Sequence, residues 1–337
     1  MEPPAAAAPP PLSDRPLTDA QGRAISYLRL SLTDRCNFRC SYCAPLGQEQ
    51  REDPLTRAEV ARLVSIFARL GVRRVRLTGG EPTLRRDLVE IVAAVGATPG
   101  IEEIALTTNG QALAELAAPL RAAGVTRVNV SLDSLQPATL ARIAGRAASL
   151  ERILDGIAAA LAAGYASVKV NAVVVRGLND GELGDLARFA WRAGATARFI
   201  ELMPFGEGEP VPIAEVKALL RAQGVRLEPD PTRGWGPAYH MRGHSEERGL
   251  PVSGLVGFIG AMTENFCEGC NRVRVAADGS LRACLGGRDQ VALKPLLRDE
   301  PDDRSIAARI VAALAQKRDR HQMTGGGDLL PMIGTGG

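Results

Sequence analysis

The sequence predicts an α/β fold: an incomplete (βα)6 barrel of the triosephosphate-isomerase type with a small C-terminal α+β capping module. Three observations carry this. Short β-like runs and helix-periodic runs alternate six times between about residues 27 and 223, and such alternation means parallel strands joined by right-handed crossovers. A full eight-unit barrel takes about 250 residues, so six units in this length leave the barrel open along one side. After about residue 224 the alternation stops.

The β-like runs are 27–33, 72–77, 103–107, 127–132, 167–175 and 197–202, and the helical runs are 56–70, 86–97, 111–123, 150–163, 180–193 and 213–223. The first helix has a clear start, because Thr56-Arg57-Ala58-Glu59 is a capping box and Leu55 with Val60 can form the hydrophobic staple. Residues 226–249 are polar and contain Pro, Gly, Trp235 and two of the three histidines. Short strands follow, including 273–276 and 280–284 across the turn signal Asp278-Gly279, and then a final helix over about 304–318. Residues 1–15 are mostly Pro and Ala, with too little apolar surface to fold. The expected organisation is therefore a disordered tail over 1–15, a partial barrel over 16–223 and a second module over 224–337.

Composition narrows the function. The chain has 337 residues, 45% of them hydrophobic and 23% charged, which is ordinary for a globular protein. No run approaches the ~18 apolar residues of a membrane span, and no secretory signal opens the chain. The net charge of +3 gives no bulk electrostatic argument for nucleic acid. Four of the 41 basic residues are Lys and 37 are Arg.

Six cysteines fall into two triads more than 220 residues apart: Cys36, Cys40 and Cys43 as C-x3-C-x2-C, and Cys267, Cys270 and Cys284 as C-x2-C-x13-C. In a long chain without an export signal this pattern reads as metal or catalysis rather than disulfides. The first triad directly follows the first strand, at the carboxyl end of the barrel where chemistry collects. Three thiolates on one loop can hold three irons of a cubane and leave the fourth open. A zinc loop lacking its fourth ligand is the alternative. At the second triad His240, His244 or His321 could complete a zinc site. Beside that triad, Arg272 and Arg274 alternate with Val273, so in a strand both point to one face, and paired guanidiniums suit a phosphate. Lys169 lies inside the apolar strand Val168-Lys169-Val170, where an ammonium must meet something polar or snorkel to solvent.

The C-x3-C-x2-C loop with Tyr42 before its last cysteine, and Gly79-Gly80-Glu81-Pro82 after the second strand, resemble the radical S-adenosylmethionine (SAM) superfamily. The C-terminal C-x2-C-N-R-x-R element, the gap to Cys284, Thr107-Thr108-Asn109-Gly110, the stretch 129–135, Glu201-Leu202-Met203-Pro204 and the terminal Gly336-Gly337 are similar to the GTP 3′,8-cyclase family of molybdenum-cofactor biosynthesis. The resemblance covers about residue 19 to the end.

That resemblance implies two [4Fe–4S] clusters, one on Cys36, Cys40 and Cys43 and one on Cys267, Cys270 and Cys284. It implies SAM contacts at Tyr42, Gly80, Ser131 and Met203. It implies GTP contacts at Arg29, Arg76, Thr107, Lys169, Arg272, Val273 and Arg274, with Arg272 and Arg274 as catalytic candidates by position. The implied reaction is that of a lyase: a 5′-deoxyadenosyl radical removes the ribose C3′ hydrogen of GTP, and C3′ closes on C8. Implied partners are a cellular one-electron reductant and a downstream cyclic pyranopterin monophosphate synthase. The chain would act as a monomer or homodimer in a reducing cytoplasm, without nucleic acid or membrane. Ala44 stands where many relatives carry Met, and Phe205 where a small polar residue is common. Two other readings compete: a radical SAM peptide maturase with an auxiliary cluster, and a non-catalytic iron–sulfur or zinc module.

Overall fold

A computed structural model describes residues 16–43, 53–232, 234–321, 323 and 332. The tail 1–15, Ala44 and the terminal Gly336-Gly337 lie outside the described residues. The chain runs β1 (Tyr27–Ser31), α1 (Arg57–Arg69), β2 (Arg74–Thr78), α2 (Leu88–Gly96), β3 (Glu103–Thr108), α3 (Leu113–Ala122) and β4 (Val125–Ser131). It continues through α4 (Pro137–Ala144), α5 (Leu150–Ala162), β5 (Ser167–Val174), α6 (Leu183–Ala193), β6 (Thr196–Glu201) and α7 (Ile213–Ala222). Then come β7 (Arg226–Pro229), β8 (Tyr239–Glu247), β9 (Leu250–Ile259), β10 (Arg272–Val275), β11 (Ser280–Arg282), β12 (Val291–Ala292), α8 (Lys294–Asp299) and α9 (Asp303–Leu314).

The six expected βα units are present. Their strands read apolar at alternate positions because only one face packs under helices: Leu28, Leu30, Val75, Leu77, Val128 and Val130 are fully buried there. Each such side chain contributes about 1.5–3 kcal/mol of burial. The opposite face is the barrel interior, and it carries polar residues. At α1 the capping box forms: the Glu59 amide donates to Thr56 Oγ1 at 3.2 Å and the Thr56 amide to Glu59 Oε2 at 2.7 Å. Leu55 and Val60 are both buried beside it.

The C-terminal module does more than cap. One sheet of twelve strands runs β12-β11-β10-β1-β2-β3-β4-β5-β6-β9-β8-β7. β10 pairs parallel to β1 and β9 pairs parallel to β6. The six-strand parallel sheet therefore gains a parallel neighbour at each edge, and the segment 260–271 crosses between those edges. The polar stretch 226–249 forms β7 and β8 rather than a loop, since both lie on the antiparallel flank outside β9, where water can reach one face. β8 and β9 are joined by Arg248-Gly249, with φ of +51° and +76°, the signature of a tight primed turn. The hairpin docks on α6 because Gly254 has no Cβ: one would stand 2.2 Å from Trp191 Cδ1. Arg62 of α1 locks the C-terminal helices, pairing with Asp303 at 2.9 Å and donating to the Leu297 and Glu300 carbonyls. Among the described residues no helix is long and apolar enough to cross a membrane.

Candidate active site at the two ends of the barrel

The first triad occupies the loop after the carboxyl end of β1, with all three cysteines partly buried and none in a disulfide. The loop is shaped by its own backbone: the Cys43 amide donates to the Cys40 carbonyl at 3.0 Å, and the Phe38 amide to the Cys36 sulfur at 3.4 Å. The loop after β2 holds it from beneath. The Gly80 amide donates to the Thr33 carbonyl at 2.6 Å and the Glu81 amide to the Arg35 carbonyl at 2.8 Å. A Cβ on Gly80 would lie 2.3 Å from that Arg35 oxygen, so only glycine lets these loops meet.

Glu81 is 1% exposed. It accepts from Thr83 N and Oγ1 (3.0 and 2.6 Å), Thr108 Oγ1 (2.7 Å) and Asn109 N (2.7 Å). Burial raises its carboxyl above the usual range while these four bonds oppose the rise. It thereby ties the β2 and β3 loops together, and Asn109 Nδ2 carries the tie to Asn37 Oδ1 at 2.8 Å. Tyr42 donates its hydroxyl to Asp133 at 2.7 Å, and Asp133 also accepts the Val173 amide at 2.8 Å. Burial pushes Asp133 up to about 6. Tyr42, Gly80, Ser131 and Met203 all lie on this carboxyl-end rim, in or just after the Cys loop, β2, β4 and β6 respectively.

The second triad lies at the opposite end. Cys267 and Cys270 precede β10, and Cys284 follows β11. The Asn271 carbonyl accepts the Ser26 and Tyr27 amides at 3.1 Å each, which fixes this loop at the amino end of β1. The Cys267 amide donates to Asn265 Oδ1 at 2.7 Å and the Cys270 amide to the Cys267 carbonyl at 3.1 Å.

Among the described residues no three Cys, His, Asp or Glu side chains converge tightly enough for a single metal ion. Each triad offers three thiolates as its donor set, which suits a cubane, where each thiolate binds its own iron; a tetrahedral zinc site needs four donors. The histidines weighed as a fourth ligand are occupied elsewhere. His321 Nε2 is 2.7 Å from the Ala261 carbonyl and its Nδ1 accepts the Met323 amide at 3.4 Å. His240 Nδ1 faces the Thr232 carbonyl at 3.2 Å, and His244 pairs with Glu228 at 3.5 Å.

Between the two ends, the helix-free face of the sheet carries cations. The register sets Arg29 of β1 beside Arg274 of β10 and Arg76 of β2, Lys169 of β5 beside Asn129 of β4, and Arg198 of β6 beside Asn171 of β5. Arg76 has partners, donating to the Tyr27 hydroxyl at 2.6 Å and to Thr107 Oγ1 at 3.1 Å. Single atoms of others have none among the described residues: Arg29 Nε, Arg198 Nε, Arg272 Nε and Arg274 Nη1 are buried without a hydrogen-bond partner, as is Asn171 Oδ1. Burial lowers the Arg29 pKa first, and the charges of Arg274 and Arg76 lower it further. Burial, then Arg76, brings Arg198 to about 10, and burial, then Arg272, does the same for Arg274. Lys169 falls to about 7, from burial and then from Arg198, Arg127 and Arg76. Buried like charges with unused donors form a site shaped for a polyanion.

Every GTP-contact position expected from the sequence except Val273 is on this inner face. Val273 is fully buried, on the opposite, helix-facing side of β10. Arg198 escaped the sequence reading. The signal was the one that singled out Lys169, a lone cation in an apolar strand.

A partial barrel with a three-thiol loop at its carboxyl rim and a glycine cradle beneath it defines the radical SAM class. Residues 30–190 match the Radical SAM superfamily and residues 195–323 match Molybdenum Cofactor Synthesis C. The chain is 45% identical over 329 residues to a GTP 3′,8-cyclase of Rhodopseudomonas palustris, covering 94% of this chain and 93% of that one. It is 44% identical to a GTP 3′,8-cyclase of Heliobacterium modesticaldum, covering 91% and 95%. The solved structure of Streptococcus suis SuiB bound to precursor peptide SuiA shares the fold at a TM-score of 0.60 and 14% identity, covering 88% of this chain and 69% of that chain. The chain belongs to the GTP 3′,8-cyclase family.

Proposed function

We propose that the protein is a GTP 3′,8-cyclase, a lyase that joins ribose C3′ of GTP to C8 of its guanine in the first step of molybdenum-cofactor biosynthesis. The observation that carries this reading is the row of buried guanidiniums with unused N–H donors between the two thiol triads. Cys36, Cys40 and Cys43 would hold a [4Fe–4S] cluster, and Tyr42, Gly80, Ser131 and Met203 would contact SAM at its side. When bound, cluster and SAM supply a 5′-deoxyadenosyl radical able to take the C3′ hydrogen.

The chain's own residues do the rest. Arg29, Arg76, Lys169, Arg198, Arg272 and Arg274 would bind the triphosphate, with Thr107 holding Arg76 in place. Val273 supports this row from behind the sheet by fixing β10 against its helices. Cys267, Cys270 and Cys284 would hold a second [4Fe–4S] cluster, which would serve to bind the guanine. This sets the base at the amino end and the ribose toward the carboxyl rim. Fixing C8 and C3′ at near-contact distance removes most of the entropic barrier to ring closure. Arg272 and Arg274, by their position next to the second triad, are the candidates for delivering the closing proton. Residues 16–223 would thus serve SAM, and 224–337 would serve the purine. A cellular one-electron reductant and a downstream cyclic pyranopterin monophosphate synthase are the proposed partners of a cytoplasmic monomer or homodimer.

The peptide-maturase alternative draws on a shared fold alone, whereas a peptide has no evident use for so many buried cations. Anaerobic incubation with GTP, SAM and reductant tests the proposal. 5′-Deoxyadenosine and a cyclised nucleotide are expected in equal amounts. Intact GTP alongside a protein that carries zinc and no iron would overturn it.

A further inference from the structure

We propose that Lys317 is a positioning residue of the second thiol site. It supplies a fixed positive charge and an N–H donor to the Cys270 sulfur, is held there by Asp19 and Arg23 of the N-terminal segment, and thereby raises the reduction potential of the cluster the triad binds. This inference rests on reading Cys267, Cys270 and Cys284 as an iron–sulfur site.

Lys317 follows α9 and is 3% exposed. Its Nζ lies 2.7 Å from the Arg272 carbonyl, 3.4 Å from the Cys270 carbonyl and 3.5 Å from the Cys270 sulfur. Three ammonium hydrogens thus have three acceptors, all on Cys270 and Arg272 of the C-x2-C-N-R element. A buried ammonium persists only where its partners repay its lost hydration. Its nearest carboxylate is Asp19 Oδ2 at 3.8 Å, itself buried.

Asp19 is fixed in turn. Arg23 Nε donates to Asp19 Oδ2 at 2.6 Å, and Asp19 Oδ1 accepts the Gln21 and Arg23 amides at 3.0 Å each. The same guanidinium reaches the Cys267 carbonyl at 2.8 Å, and the Arg318 and Asp319 carbonyls at 2.7 and 2.8 Å. The chain Arg23–Asp19–Lys317 therefore grips the backbone at both cysteines of the C-x2-C pair from a segment more than 240 residues away. Plain carbonyl capping would explain the contacts to Cys270 and Arg272 oxygen. The approach to sulfur adds a consequence that capping lacks, because a hydrogen bond and a positive charge at a ligand sulfur favour the more negative, reduced state of a cluster.

The test uses the full chain carrying Cys36→Ser, Cys40→Ser and Cys43→Ser, so that iron can bind only at the second triad, with potentiometric titration followed by electron paramagnetic resonance. In this background Lys317→Met should lower the reduced-to-oxidised ratio at the parent's midpoint about tenfold, a 59 mV fall for a one-electron couple. Lys317→Arg should recover most of the shift. Asp19→Asn keeps a carbonyl oxygen for the Gln21 and Arg23 amides but loses the carboxylate that holds Lys317, and should move the midpoint downward as Lys317→Met does, by less, because the ammonium is no longer fixed at the sulfur. Iron lost from Lys317→Met but kept by Lys317→Arg would equally support the charge at this position. Midpoints unchanged in both Lys317→Met and Asp19→Asn, with iron bound, would overturn the proposal. A parent background that binds no iron would instead overturn the reading of the site itself.

Discussion

The triad after β1 and the triad around β10 and β11 offer three thiols each, yet Cys36 and Cys40 at the first shift opposite to Cys270 at the second. At the first, burial pushes Cys36 up to about 11; the Phe38 amide and Arg39 work against it while Glu81 adds to it. Cys40 is also raised, first by burial and then by the charge of Asp133. At the second, burial again pushes up, but Arg272 and Lys317 outweigh it and bring Cys270 to about 7. The first loop is a pocket that tolerates thiols and leaves charge compensation to what it binds. The second brings its own cations. The proposed function would account for the contrast: a sulfonium would bring positive charge to the first site, whereas a nucleotide at the second would need cations from the protein.

Ways to break this contrast follow from the largest expected effect to the smallest. Cys284→Ser should abolish cyclisation and halve the iron from about eight to about four per chain, while the first cluster remains. Full turnover in that variant would discredit the second site. Gly80→Ala attacks the other end. Its methyl would sit 2.3 Å from the Arg35 carbonyl, and the loop shift should cost about 100-fold in 5′-deoxyadenosine formation with GTP affinity kept, as read by nucleotide binding.

Arg198→Met sharpens the contrast. It should weaken GTP binding about 10- to 100-fold through loss of a charge-assisted bond. The same change should raise the stability of the nucleotide-free protein by about 1–3 kcal/mol, because an unpaired buried charge is removed. Calorimetric melting with and without GTP checks both signs.

The smallest effect is a pH slope. Lys169 is held at about 7, against 10.5 for a free lysine. Between those values the unfolded chain binds a proton that the fold does not, so the stability of the free protein should rise from pH 7 to about 10. Phosphate favours the protonated amine, so binding takes up a proton and GTP affinity should fall as pH rises above 7. Lys169→Arg should flatten both slopes.

Much of the site was legible along the chain because its signals are local. The C-x3-C-x2-C spacing sits on one loop, the Gly-Gly-Glu-Pro run on the next, and Arg272 and Arg274 on one face of one short strand. Arg198 was as visible as Lys169 but was read as part of an apolar run. α4 and α8 were missed because they are short, and β7 and β8 because that antiparallel flank carries mostly polar residues.

The sequence alone determined the six βα units, the two triads and the order in which they occur, since periodicity and short spacing are properties of neighbouring residues. It could not determine that β9 and β10 complete the parallel sheet at opposite edges, that the triads face each other along the barrel axis, or that Asp19 meets Lys317. Those depend on which edges pair and in what register, and pairing is decided by burial summed over the whole chain. The guanidiniums with unused donors are the clearest case. Each is an ordinary arginine in its own strand, and only the pairing of the strands gathers them on one buried face.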